Sequence, residues 1–366
     1  MEKLKVAVFF GGMSGEHEVS LRSSASIMAA MDRDKYQVIP VGISREGQWW
    51  AGEEVHPALE KGEPKGRRVT LLPEATSGEL LYMEGDRITG RLKLDAAFPV
   101  LHGPYGEDGT IQGLLDMAGI PYVGSGVLGS AVGMDKVIMK MVLQNSGLPV
   151  GDYLYFTSMD FAENPQYWLR AAEERCGYPC FVKPANLGSS VGITKAKNRA
   201  QLAKAVGEAA LYDVKILVEK TLTGKEVECS VLGNYNPRAS VVGEIIPCNE
   251  FYDYKAKYID DRSELIIPAP LSASMTEKVR SLAVKTFRAL SCFGLGRVDF
   301  FANPETEEVY INEINTIPGF TSISMYPKLW EASGLKFSSL VDELIKLALE
   351  RHKIKTSLLT TYEVEG

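Results

Sequence analysis

Five consecutive apolar residues, Val6 to Phe10, run into Gly11-Gly12 near the start of the chain. A run without polar alternation must be covered on both faces, so it constrains the fold more than any other feature. It is too short for the apolar region of a secretory signal, and no small-residue cleavage site follows it. No stretch of the chain approaches the apolar length that crosses a bilayer. The remaining reading is an interior strand, Leu4 to Phe10. A helix pattern with Val19, Ile27 and Met31 among its apolar positions follows, then a second strand, Tyr36 to Ile43. Asp95 to Leu101 is a further buried strand, followed by a glycine-rich loop and a helix, Thr110 to Ala118. Strands alternating with helices predict an α/β unit whose parallel sheet is covered on both faces. Between them, Arg45 to Leu94 breaks into short β-like pieces with Gly and Pro interruptions, which predicts an insertion with hairpins of its own.

The chain has 366 residues, more than one ordinary domain holds. A second unit starts near Gly129, with a helix over Ser130 to Ser146 and a strand over Tyr153 to Thr157. Strands Phe181 to Lys183 and Val191 to Ala196 flank a glycine turn, followed by a helix, Gln201 to Leu211, and a strand, Ile216 to Glu219. A third unit opens near Cys229. It holds a polar loop from Asn249 to Leu265, a helix over Thr276 to Cys292, strands Gly296 to Ala302 and Val309 to Ile314, and a closing helix from Ser338 to Lys353. The divisions expected are therefore 1–128 (with the insertion at about 45–94), 129–228 and 229–366. The formal charge of −7 argues against a general nucleic-acid binder, which needs a basic face. Five scattered cysteines, without zinc-ligand spacing, read as buried free thiols in a reducing cytosol. A cytoplasmic protein, associated with neither membrane nor nucleic acid, is expected.

Gly124 to Gly129 spells GxGxxG between a possible strand and a helix. No acidic residue about twenty positions on is available for a ribose, so a glycine-rich junction between units explains it better than a dinucleotide site. No GxxxxGK[ST] sequence occurs. Lys183 ends a strand and enters the Gly/Ser turn Gly188-Ser189-Ser190, whose amides suit phosphate oxygens; a plain hairpin turn is the alternative. Val218-Glu219-Lys220, with Glu226 beyond, is either a charged strand end or a place to read an adenine edge and ribose hydroxyls. The strongest metal signal is Asp299 within one apolar strand and Glu313 and Asn315 within the next. Alternation puts Glu313 and Asn315 on one face, and a hairpin would turn Asp299 toward them. Two carboxylates and an amide oxygen suit Mg²⁺. Arg297 shares the face of Asp299 and could stabilise developing negative charge. Two polar loops, Gly11 to Ser20 and His102 to Gly109, follow expected parallel strands at the edge where open sheets bind ligands. Glu16 and Glu107 in them could hold an ammonium group, or Glu16 could simply favour a helix N-terminus.

Together these segments resemble the D-alanine–D-alanine ligase family over nearly the whole chain. GGMSGEHEVS (11–20), HGPYGEDGTIQG (102–113), MDK (134–136), KPANLGSSVGI (183–193), EKTLTGKEVE (219–228), FYDYKAKY (251–258), GRVDFF (296–301) and NEINTIPGFTS (312–322) keep the family order. The resemblance implies an ATP-grasp fold of three domains, α/β with α+β character in the lid, and a Rossmann-like N-terminal domain. It implies ATP as co-substrate, two Mg²⁺ or Mn²⁺ ions, D-alanine as substrate and a homodimer. By the same resemblance Lys136, Lys183 and Lys257 contact phosphates. Glu219, Lys220 and Leu222 line the adenine pocket, Glu226 takes the ribose, and Phe251 and Phe301 pack near the base. Asp299, Glu313 and Asn315 bind the metals. Glu16 binds the ammonium of the first D-alanine with His102 nearby. Ser324 and Met325 contact the second D-alanine. Arg297 and the Gly319 amide form the oxyanion site, and Tyr258, Ser189 and Glu16 form a triad that fixes a closed loop. The rivals are an ATP-grasp ligase for other amino acids, a non-catalytic nucleotide-binding regulator and an NAD oxidoreductase.

Overall fold

The computed structural model describes residues 2–188, 191–246 and 264–359. Seven strands form the first sheet: β1 (Leu4–Gly11), β2 (Tyr36–Ile43), β3 (Trp49–Ala51), β4 (Arg67–Leu71), β5 (Glu79–Glu84), β6 (Arg87–Lys93) and β7 (Ala96–Pro99). Their order is β6-β5-β4-β3-β2-β1-β7, with β1 parallel to β2 and β7 and the other pairs antiparallel. The parallel reading therefore holds for three strands, of which β1 and β7 lead into the two loops that reach the site. The Arg45–Leu94 segment does form hairpins, but they extend the same sheet rather than standing apart. Val41, Gly42 and Ile43 keep pairing positions open on their far side, and Ala51, Trp50 and Trp49 fill them.

Val6 to Phe10 is fully buried. Val6, Val8 and Phe10 face a core shared with Phe98 and with Leu340, Val341, Leu344 and Ile345 of the closing helix Phe337–Thr356. Ala7 and Phe9 face the opposite core with Val41, Ile111 and Leu115. Each large side chain so buried contributes about 1.5–3 kcal/mol, and the strand fastens the end of the chain to its beginning.

The second sheet is antiparallel: β8 (Tyr153–Thr157), β9 (Cys180–Pro184), β10 (Thr194–Ala196) and β11 (Lys215–Lys220), in the order β10-β9-β11-β8. The third is antiparallel as well: β12 (Lys225–Gly233), β13 (Arg238–Ile246), β14 (Glu264–Ile266), β15 (Gly294–Asn303) and β16 (Glu308–Asn315), in the order β14-β13-β12-β15-β16. Helix Ala273–Ala289 packs its Val279, Ala283 and Phe287 on that sheet.

The single helix expected over Ser130 to Ser146 is two, Val127–Met134 and Lys136–Asn145. Asp135 breaks it by taking an extended backbone and accepting hydrogen bonds from the amides of Val137 and Ile138, both at 3.0 Å. Such a side chain competes with the helical backbone and starts a new helix. Helices Pro165–Cys176 and Met325–Ala332 are not legible in the sequence, because each carries a proline in its first turn, where it is tolerated but reads as a breaker. Cys176, Cys180, Cys229 and Cys292 are buried free thiols, and Cys248 lies outside the described residues. Among the described residues no helix is long and apolar enough to cross a membrane.

Candidate active site

The β15–β16 hairpin sets Arg297 opposite Asn315 and Asp299 opposite Glu313. A register shift follows, and Phe300 pairs with Ile311, so Asn312 is the extra residue. Bulges of this kind re-aim neighbouring side chains. On the other flank of β15, Glu228 of β12 lies opposite Asp299 and Glu226 opposite Phe301. Arg297 grips Asp299 with two parallel bonds, Nε to Oδ1 and Nη2 to Oδ2, both 2.7 Å, and its Nε also lies 2.8 Å from Glu228 Oε2. Asn315 Nδ2 donates to Asp299 Oδ2 at 3.0 Å. The donor set of Asp299, Glu313 and Asn315 consists of oxygens only, which fits a hard divalent cation completed by phosphate oxygens and water. Among the described residues no group of three or more His, Cys, Asp or Glu stands together as a metal site elsewhere.

Facing the hairpin is a cleft of about 300 Å³, near the lower end of ligand-site volumes. Its far wall comes from β9, β11 and helix Lys136–Asn145. Glu219 is buried there between two ammonium groups, with Lys140 Nζ 2.6 Å from Oε1 and Lys183 Nζ 2.5 Å from Oε2. Burial pushes the Glu219 carboxyl up, but the two lysines outweigh it and hold it down at about 2. For Lys183, burial works against its charge, and the Glu219 and Glu313 carboxylates more than offset this, so it is held above the ordinary lysine value. Lys136 Nζ donates to Leu187 O at 2.7 Å and lies 3.5 Å from Glu313 Oε2, so it bridges the glycine turn and the hairpin. Lys220, Leu222, Glu226 and Phe301 line the same cleft.

The N-terminal loops close the deep end. Ser14 Oγ donates to His102 O at 2.7 Å and accepts from the Glu16 amide at 3.2 Å, tying the two loops together. The Glu16 carboxylate is wedged between backbones, since a Cβ on Gly103 would lie 2.8 Å and one on Gly188 3.1 Å from its Oε2. His102 is buried, and desolvation depresses its pKa, keeping the ring neutral. Its Nδ1 donates to Ile317 O at 3.0 Å, and its Nε2 accepts from Ser23 Oγ at 3.4 Å. The Phe320 amide in turn donates to Ser23 Oγ at 3.2 Å, so His102 and Ser23 clamp the segment that carries Gly319. A Cβ on Gly319 would meet Ser324 Oγ at 2.7 Å. Ser324 starts helix Met325–Ala332, and the Met325 side chain is buried against Ile245 and Leu329.

Glu107 accepts hydrogen bonds from the amides of Gly103 at 2.8 Å and Ile317 at 3.1 Å. Burial, reinforced by the Glu16 charge, pushes its carboxyl up to about 8. A pKa raised on folding contributes stability that is fully present below the unfolded value and is lost as pH rises through the folded one. The thermal midpoint should therefore fall between about pH 5 and pH 8, and Glu107→Gln should flatten that slope. Equal slopes in both proteins would sink the assignment.

The hairpin residues, the lysines, Glu219 and Glu16 thus converge, whereas Ser189, Phe251, Lys257 and Tyr258 lie outside the described residues. The Gly124–Gly129 fingerprint is a packing junction. A Cβ on Gly129 would lie 2.7 Å from Ser291 O, and Phe293 N donates to Ser125 Oγ at 3.2 Å. Sequence reasoning misses Lys140, Glu228 and Ser23. The available signals are Lys140 one turn after Lys136 and Glu228 in alternation with Glu226.

Known proteins match this chain along its length. The D-ala D-ala ligase N-terminus family model matches residues 5–125 and the D-ala D-ala ligase C-terminus model residues 142–346. A D-alanine–D-alanine ligase of Natranaerobius thermophilus is 52% identical over 358 residues, covering 97% of each chain. The solved D-alanine-D-alanine ligase of Coxiella burnetii superposes with a TM-score of 0.85 at 37% identity, covering 98% of this chain and 97% of that one. The VanG D-Ala:D-Ser ligase of Enterococcus faecalis gives a TM-score of 0.85 at 37% identity, over 95% of this chain and 100% of that one. With both family models and full-length relatives in agreement, this chain belongs to the D-alanine–D-alanine ligase family and is a ligase of ATP-grasp fold.

Proposed function

We propose that the chain joins two D-alanine molecules to D-alanyl-D-alanine, converting ATP to ADP and phosphate through an acyl phosphate. The observation that carries this is the Leu187-Gly188 turn. Leu187 O binds Lys136 of the nucleotide cleft, and Gly188 abuts the Glu16 carboxylate. A phosphate donor and an amino acid would therefore meet on one turn. Glu16 holds the ammonium of the first D-alanine, whose carboxylate attacks the γ-phosphorus while ADP leaves. The amine of the second D-alanine, received near Ser324 and Met325, then attacks the acyl carbon and phosphate leaves.

Both reactants of the first step are anions, so charge stabilisation and positioning supply most of the catalysis. Lys136, Lys183 and Lys257 draw the phosphates in. Asp299, Glu313 and Asn315 hold two Mg²⁺ or Mn²⁺ ions, which neutralise phosphate charge when bound. Arg297 and the Gly319 amide stabilise the oxyanion of the second step. Glu219, Lys220, Leu222, Phe251 and Phe301 surround the adenine, and Glu226 takes the ribose. Tyr258, with Ser189 and Glu16, keeps a closed loop over the acyl phosphate and excludes water. The product serves peptidoglycan precursor synthesis in the cytoplasm, and the protein works as a homodimer of three-domain chains divided at about 128 and 228.

The test is to incubate the protein with D-alanine, ATP and Mg²⁺ and to follow phosphate release with product mass. D-alanyl-D-alanine with ADP and phosphate, absent with L-alanine, is the expected result. ATP binding without ligation of D-alanine to D-alanine overturns the substrate assignment; D-serine offered as second substrate then tests the mixed product.

A further inference from the structure

Lys140 has no place in the chemistry above, yet the residue is only 2% exposed. A buried ammonium is costly unless paired, and its partner here is unusual. Its Nζ lies 2.6 Å from Glu219 Oε1 and 5.8 Å from the centre of the Tyr153 ring, while Glu219 Oε2 goes to Lys183 at 2.5 Å. One carboxylate thus serves two lysines, one on each oxygen. Helix Lys136–Asn145 places Lys140 one turn after Lys136, so both reach the same cleft from one helix face.

The charge count decides what this arrangement does. With Glu219 and Lys183 alone, the carboxylate would cancel the lysine, and a phosphate would approach a neutral pair. With Lys140 added, the group of three carries one net formal positive charge, set against the Glu313 carboxylate that also acts on Lys183. Glu219 is then shared, and Lys183 commits only one of its three N–H donors to it. Its remaining donors and its charge stay available to an anion.

We propose that Lys140 is a positioning residue for the nucleotide phosphates. By engaging one oxygen of Glu219 it leaves Lys183 cationic toward the cleft. This rests on the reading of the cleft as the ATP site. Lys140 acts through Glu219 and does not itself touch the reacting atoms.

The test is ATP binding in the presence of Mg²⁺ and the absence of D-alanine, measured by isothermal titration calorimetry. Lys140→Gln keeps a hydrogen-bond donor near Glu219 and removes the charge; it should weaken ATP about tenfold, the effect of losing one charged interaction at a desolvated site. Lys140→Arg keeps the charge and should bind ATP close to the parent protein. A Lys140→Gln, Glu219→Gln double variant removes both the charge and its target. Its affinity should match that of Glu219→Gln alone instead of showing the sum of the two single losses, because Lys140 acts only through that carboxylate. A role of Lys140 independent of Glu219 would add the two losses. If Lys140→Gln binds ATP as the parent does, or if the double variant is additive, the proposal is wrong. If Lys140→Gln does not fold, loss of affinity in the folded Lys140→Arg variant would equally overturn it. Absence of ATP binding by the parent protein would instead reject the reading of the cleft.

Discussion

Glu313→Gln should lower the rate of D-alanyl-D-alanine formation by about 10²–10³-fold, the range measured for removal of one charge-stabilising group. Glu313 sits opposite Asp299 in the hairpin, and together they are the two carboxylates of the proposed metal set. The amide keeps the shape and one oxygen but supplies no charge, and hard cations select charged oxygens. Glu313 is also 3.5 Å from Lys136. Its loss therefore removes negative charge beside a lysine proposed to draw in phosphate. That second effect favours ATP binding and opposes the first, so the two separate by measurement. The apparent affinity for Mn²⁺ should drop, kcat should collapse, and ATP binding without metal should hold or strengthen. The Glu313 side chain is 20% exposed and faces the cleft, so the thermal midpoint should stay within a few degrees. A variant with parental kcat at saturating Mn²⁺ would remove Glu313 from the metal set.

The prominence of this hairpin is legible in the amino-acid sequence because polar residues inside apolar strands need a reason. Alternation places Glu313 and Asn315 on one face, and the antiparallel register supplies Asp299 and Arg297. The strands Tyr36–Ile43 and Tyr153–Thr157 are legible for the same reason, since period and length agree. What escapes is pairing across sequence. Lys140 and Glu228 look like ordinary charges on a helix and a strand, and such charges are usually solvated. Only the fold reveals that each is buried against a partner. The Glu107 bond to the Ile317 amide spans 210 residues, and no local pattern announces it. The Asp135 break is present as a capping residue, but the apolar pattern on both sides conceals it. The Arg45–Leu94 hairpins carry the right local signals. Their continuity with the first sheet depends on open pairing positions of β2, which periodicity does not describe.

Arg297→Ala should be the most damaging single change in the site, because it acts on stability and chemistry together. Arg297 holds Asp299 through two bonds and Glu228 through a third contact. Glu228 and Asp299 pair directly across β12 and β15, so without the guanidinium two carboxylates face each other in a poorly hydrated place. Breaking a buried pair in this way costs about 3–5 kcal/mol. Loss of Arg297 as the proposed donor to the developing oxyanion should also lower kcat by about 10²–10³-fold. The two effects can be told apart with Arg297→Lys, which restores the charge but not the planar fork. Thermal unfolding should then recover much of the lost stability, while kcat stays at least about tenfold low, since a point charge cannot hold Asp299 on two atoms and also serve the reacting oxygen. Metal complicates the reading in a useful way. Asp299 must share its oxygens between Arg297 and any cation, so excess Mg²⁺ should partly stabilise Arg297→Ala against heat by replacing the missing positive charge. Full activity of Arg297→Lys would assign Arg297 to charge balance alone and leave the Gly319 amide to serve the oxyanion.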